Sequence, residues 1–230
     1  MINSGLFNGI YKLSDIFSRF VLLNFLWFFL NIPVFFSLFN ILIANQTDRL
    51  FFMLTTTVLI PFFFFPSTIS LFAVVRKWII DENNSEVVRS FFRNFKSHYR
   101  KGLIIGMFFS FLCSLLILDF YYFRGMGLWM ELVLLILSVF AFVYILHFFC
   151  VVVHYNIGWK DMMNKTLLFT IGSPILFSFN VIIHASLLLA IYSFPLFSLA
   201  GYGSVGAYLS FSLFYKHYVK AVRSKGNIPQ

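Results

Sequence analysis

Charge is what this chain has least of. Only 11% of its 230 residues are Asp, Glu, Lys or Arg, whereas a water-soluble protein normally carries about 25%. With 60% hydrophobic residues and a mean hydropathy of +0.89, that shortage excludes an ordinary soluble domain and makes lipid the main solvent. Cysteine is scarce too. Cys113 and Cys150 lie inside apolar runs without CxxC spacing, so they read as small buried hydrophobes rather than a disulfide or metal pair. Alternation of apolar and polar residues over about 10 positions, the mark of an outer-membrane barrel, is nowhere sustained. No Ser/His/Asp order, phosphate-cradling glycine loop or HExxH motif occurs either. The sequence therefore points to no enzyme and no cofactor.

What the chain does have is long apolar runs, rich in its 35 Phe, and helices are the spanning structure such runs form in lipid. The expectation is a single all-α membrane domain over 1–230, a polytopic bundle of six transmembrane helices. The spans fall at about 20–44, 50–75, 103–123, 128–153, 174–194 and 195–215. Pro61 and Pro66 should kink the second. Asn180, His184 and Ser186 make the fifth the candidate for a broken or water-lined helix. Gly201, Gly203 and Gly206 in the sixth would allow close helix contact. The first run is longer than a signal-peptide core and no small-residue cleavage site closes it, so it reads as a retained helix.

Three polar segments read as cytoplasmic amphipathic interfacial helices, at about 6–19, 84–101 and 161–172. The first sets Leu6, Phe7, Ile10, Leu13 and Phe17 opposite Asn8, Lys12, Asp15 and Arg19. The second opens on a capping box, Asn83 with Glu86, and sets Val87, Val88, Phe91, Phe92, Phe95 and Tyr99 against a largely arginine face. The starts near Leu6, Glu86 and Asp161 are similarly spaced, which suggests three repeats of an interfacial helix plus a helical hairpin.

The cations sit in short blocks flanking apolar runs, which fits membrane orientation and not nucleic-acid binding. In the six-span layout Lys12, Arg19, the seven cations from Arg76 to Lys101, Lys160, Lys165 and the four of the tail share one side. Only Arg49 and Arg124 fall on the other. The positive-inside rule then places both termini in the cytoplasm.

Candidate sites are few. His147 and His154, two helical turns apart, suit a metal or haem pair, but without a third ligand they read better as packing histidines. Asn180 and His184, one turn apart, suit a polar pathway or simple interhelical hydrogen bonding. Asp119 and Glu131 bracket Arg124 at the far rim as a carboxylate pair for sugars, or as groups solvated and paired with the arginine. The segment from Arg76 to Lys101 carries the most. Its seven cations against three acids attract the lipid bilayer's anionic lipid, and Arg76, Lys77, Trp78, Phe91, Phe92, Arg93, Phe95 and Arg100 suit docking of a partner.

Pro66-Ser67-Thr68, followed by Leu71-Phe72-Ala73-Val74-Val75-Arg76-Lys77-Trp78, resembles the YesL-like family of bacterial integral membrane proteins, whose function is unknown. Gly5-Leu6-Phe7-Asn8-Gly9-Ile10-Tyr11 and Leu23-Asn24-Phe25-Leu26-Trp27 are similar to that family's opening. Its members come largely from Gram-positive bacteria and are often encoded beside binding-protein-dependent carbohydrate importers. The resemblance implies the bacterial plasma membrane, a role near carbohydrate transport, and ABC importer subunits as partners. Importer permeases dock their ATPase through a Glu-Ala-Ala loop with a following glycine, and this chain has no such loop. The expected role is therefore an accessory or regulatory one, with a small transporter or channel running through Pro61, Pro66, Asn180 and His184 as the alternative.

Overall fold

The computed structural model describes the backbone of residues 2–80, 86–123 and 125–224, and their side chains except those of 2–10, 12, 13, 46, 47, 200 and 224. The described secondary structure is helical: α1 (Ile2–Leu30), α2 (Ile32–Ile43), α3 (Gln46–Leu59), a π turn (Ile60–Phe64), α4 (Phe65–Ile80), α5 (Val87–Phe123), α6 (Leu128–His154), α7 (Trp159–Gly172), α8 (Pro174–Ser193), α9 (Leu196–Ala200) and α10 (Tyr202–Ser224). Among the described residues, four continuous segments are long and apolar enough to cross a membrane: Asp48–Ile80, Val87–Phe123, Leu128–His154 and Pro174–Ser193. A fifth is reached if Ser14–Leu30 and Ile32–Ile43, bent by 68° at their junction, count as one span. The chain is thus a multi-pass membrane protein, and large apolar side chains such as Phe36, Phe111, Ile136 and Leu189 stand on its outside.

Several expected boundaries move, each for a local reason. The run 20–44 is no straight span. Pro33 has no N–H to give its helical partner, and the chain breaks at Asn31, whose side-chain amide donates to Trp27 O (2.7 Å) inside the turn. From Val87 on, the expected interfacial segment 84–101 runs without a break into the span 103–123 as one helix, α5. Asn83 of the capping box, with Asp81 and Glu82, lies outside the described residues, and Glu86 stands just before the helix at φ 29°. The fifth span is continuous. The expected sixth, 195–215, is divided at Gly201 into α9 and α10, and α10, which runs on to Ser224, is not among the segments that qualify by apolarity. Six spans are therefore not established. Of the three interfacial segments α7 is a helix of its own. The first is the opening of α1, where the side chains of Leu6, Phe7, Ile10, Lys12 and Leu13 lie outside the described set and Asp15 pairs with Arg19 at 2.6 Å.

The core is built on α4. Every residue from Phe65 to Val75 is buried, which requires apolar or small side chains on all faces of the helix. Phe65 stacks on Phe109 of α5 at 5.9 Å and tilts against Phe149 of α6 at 5.5 Å. α10 lies along α4 and also touches α1, α6 and α8. The π turn before α4 follows from two prolines five residues apart: Pro61 and Pro66 lack N–H groups, and Phe65 N–H reaches back five residues to Ile60 O.

Candidate functional site

Two polar seams run through this apolar core. The first starts on α1, where Asn24, Trp27 and Asn31 share one face at helical spacing. Asn24 is fully buried, and its amide nitrogen donates to Ser198 O (3.0 Å) and Leu199 O (2.6 Å). Its oxygen accepts from the N–H groups of Gly203 (2.8 Å) and Ser204 (3.2 Å). One side chain thereby satisfies the backbone groups freed where α9 gives way to α10. Gly203 is needed there, because a Cβ would lie 2.9 Å from the Trp27 ring and 3.0 Å from Asn24 Oδ1. Trp27 Nε1 donates to Thr68 Oγ1 (3.0 Å), and Asn31 Nδ2 donates to Ser67 Oγ (2.8 Å). Ser67 and Thr68 in turn donate to carbonyls of the π turn, Phe63 O and Phe64 O, each at 2.6 Å. The seam ties three helix breaks together, and Asn31 Oδ1 remains buried in it without a partner.

The second seam joins α6, α7, α8 and α10. Thr170 donates to Thr166 O (2.8 Å), so its oxygen accepts from His147 Nδ1–H (2.9 Å). That leaves His147 Nε2 to accept from Asn180 Nδ2 (3.2 Å), whose other hydrogen goes to Leu176 O (3.0 Å). Asn180 Oδ1 has no partner. One turn on, His184 Nε2 pairs with Ser210 Oγ (3.1 Å), its Nδ1 is unpaired, and its ring lies against Gly206, where a Cβ would come within 3.0 Å of Cε1. Near the end of this seam Ser173 and His217 are hydrogen-bonded.

Of the four residues expected to line one path, the structure does not bring all together. Pro61 and Pro66 pack against α5, where a Cβ on Gly106 or Gly102 would sit 2.7 Å or 2.9 Å from their Cα atoms. Asn180 and His184 face α6 and α10 instead. His147 and His154 are not brought to a common site: His147 engages both ring nitrogens as above, and His154 lies among the rings of Tyr155, Phe214, Tyr215 and Tyr218. Asp119 is half-buried and Glu131 exposed in the first turn of α6. Arg124, expected between them, lies outside the described residues.

The docking residues divide by exposure. Phe92, Arg93 and Arg100 of α5 face outward, with Lys96 beside them. Phe91 does not: it is fully buried in the core, so it anchors α5 rather than a partner. Phe95 is half-buried against Tyr99 at 5.4 Å. Arg76, Lys77 and Trp78, at the last turn of α4, are half-buried, with Trp78 edge-on to Phe20 at 5.3 Å. This end of the bundle also holds Lys165, 3.8 Å over the ring of Tyr155. Burial and the neighbouring Tyr218 push the Tyr155 phenol up to about 12.

Sequence reasoning missed the Asn24 clamp, the Gly102 and Gly106 contact with the prolines, and the bond from His147 to Thr170. A signal existed for the second, since Gly102 and Gly106 form a GxxxG pair.

Known proteins bear on the first seam. Residues 20–120 match the family described as protein of unknown function, DUF624. Uncharacterized protein YesV of Bacillus subtilis (strain 168) is 26% identical over 114 residues, 48% of this chain and 55% of that protein, so the match spans about half the relative's length. No solved structure matches the chain. The stretch matched to DUF624 contains Asn24, Trp27, Asn31, Ser67 and Thr68, and it is therefore similar to that family across the hydrogen-bonded joint between α1 and α4.

Proposed function

We propose that this chain is a DUF624-type membrane protein of the bacterial plasma membrane, with both termini cytoplasmic. Its role is non-enzymatic: an accessory or regulatory component of carbohydrate uptake that engages an ABC importer subunit. The observation that carries the reading is the continuity of α5. At 37 residues it is about 55 Å long, against a hydrocarbon core of about 30 Å. Its basic first third therefore projects as a rigid extension of a span. Phe91 and Asn94 hold that extension to the core, while Phe92, Arg93, Lys96 and Arg100 are presented outward. The sugar-importer partner follows from the resemblance to the YesL-like family. The test is gentle purification from the native host with identification of co-purifying proteins, alongside Arg93→Glu with Arg100→Glu. Importer subunits should accompany the wild type and be lost from the double variant, with slower uptake of one sugar. Absence of importer subunits together with unchanged sugar uptake on deletion would overturn the reading.

A second reading, a small transporter, is favoured by the unpaired Asn180 Oδ1 and His184 Nδ1 one turn apart inside the bundle, since polar groups at membrane depth mark pathways. It requires flux in liposomes holding this chain alone, abolished by Asn180→Leu with His184→Leu. Undiminished flux in that variant would remove the seam as the path.

A further inference from the structure

One group of cations at the basic end has no counterion among the described residues. Arg76 has a buried Nε without a hydrogen-bond partner. Ion pairs among the described residues join Arg19 to Asp15 and Arg89 to Glu86, and neither Arg76 nor Lys165 is in one. Lys165 rests on the Tyr155 ring, while Asp161, one turn earlier on α7, is exposed. Both cations lie within electrostatic reach of His154, whose Nδ1 is itself buried and unpaired. The His154 ring sits 4.8 Å from Tyr155 and 4.5 Å from Tyr218, and the two tyrosine rings are 5.8 Å apart. α7, α10 and the turn after α6 thus bring an ammonium and two phenols together around His154, and the Arg76 guanidinium at the end of α4 faces the same ring electrostatically with its Nε buried.

Such an arrangement is unfavourable by itself. A guanidinium N–H withdrawn from water without an acceptor carries a desolvation penalty, and neighbouring cations repel. An anion with several oxygens relieves both. The planar fork of arginine matches phosphate oxygens, lysine adds a point charge, and tyrosine hydroxyls complete the shell as donors. The Tyr155 phenol holds its proton throughout the neutral range. We propose that Arg76, Lys165, Tyr155 and Tyr218 form a phosphate-binding site at the basic end of the bundle, filled by a lipid headgroup phosphate or by a free phosphate. It is separate from the docking face, because Arg93 and Arg100 point outward from α5.

The test uses the full chain, delipidated in neutral detergent. Phosphatidylglycerol is titrated with detection of bound lipid by native mass spectrometry, and inorganic phosphate is titrated with detection by thermal unfolding. One phosphatidylglycerol per chain, with no response to inorganic phosphate, assigns a headgroup. A saturable rise in unfolding temperature with phosphate, and its displacement of the lipid, assigns a free phosphate. In either case Arg76→Gln or Lys165→Gln should weaken binding at least tenfold, and Arg93→Gln with Arg100→Gln should leave it unchanged. Should Arg76→Gln fail to fold, Lys165→Gln decides alone. Unchanged binding there, equal loss in the Arg93/Arg100 control, or no saturable binding of either probe overturns the proposal.

Discussion

Gly106 of α5 meets the backbone of Pro61 so closely that a Cβ on the glycine would lie 2.7 Å from the proline Cα. Gly102, one turn earlier, stands in the same relation to Pro66 at 2.9 Å. The obstacles are backbone atoms of a helix already reshaped by its prolines, so neither side can yield cheaply. Gly106→Ala and Gly102→Ala should each destabilise the protein by about 1–3 kcal/mol, the usual range for overpacking a filled core. Gly172→Ala, where nothing lies within 4 Å, should leave stability unchanged or slightly raised. Denaturant unfolding in detergent micelles distinguishes these outcomes.

The two asparagines of α1 should behave differently. Asn24→Leu strands two carbonyls and two N–H groups at the junction of α9 and α10, and each buried group left unpaired costs about 1–3 kcal/mol. Some of them regain partners by relaxation, so a total loss of about 3 kcal/mol is expected. Asn31→Leu should cost less than 1 kcal/mol, roughly the worth of one interhelical hydrogen bond in a membrane. Ser67 keeps its bond to Phe63 O, the Trp27 carbonyl keeps the backbone N–H of Asn31, and the unpaired Oδ1 disappears. Equal losses would show that the Asn24 clamp carries no special weight. The comparison is made by thermal unfolding of the two variants side by side.

Tyr155 gives a pH signature. Its folded pKa, pushed up to about 12, stands above the ordinary value near 10. The folded state therefore keeps a proton that the unfolded state has lost between those values. The contribution is fully present below about pH 10 and is lost as the pH rises through about 12. An ultraviolet titration of phenolate should show one fewer high-titrating tyrosine in Tyr155→Phe. Over the same window that variant should lose stability less steeply than the wild type.

The apolar runs made most of the spans legible, because transfer to lipid depends on local composition over about 20 residues. What composition could not show is where a helix breaks or continues. The change from charge to apolarity near Lys101 looked like the start of a new element, yet nothing there stops a helix. Gly102 lies within the continuous helix, and it is glycine because Pro66 leaves room for no side chain. In the first run the break depends on Pro33 together with the Asn31 bond to Ser67, a contact 36 residues away. The second seam was half legible: Asn180 and His184 stood out as polar residues in an apolar run, but Asn180 pairs with His147 on another helix rather than with His184. Phe91 and Phe92 were indistinguishable by composition, and only the packing of α5 on α4 turns one inward and the other outward.

The standing of α10 can be settled by side-specific labelling. Its early residue Gly203 touches Trp27 and Asn24, and its later residue Tyr218 lies 4.5 Å from His154 at the end of α6. Those 15 residues rise about 23 Å in a helix, most of the way across a hydrocarbon core of about 30 Å. Ser204 and Ser210 are both fully buried, so protein rather than lipid covers these two polar positions, which is where such residues are tolerated. α10 should therefore span as the sixth helix. In a background of Cys113→Ser and Cys150→Ala, Arg93→Cys and Lys216→Cys should react only from the cytoplasmic side. Trp129→Cys and Tyr192→Cys, both at highly exposed positions, should react only from outside. Labelling of position 216 from the same side as position 192 would mean that α10 turns back, leave five spans at most, and put the C-terminal cations opposite Arg93.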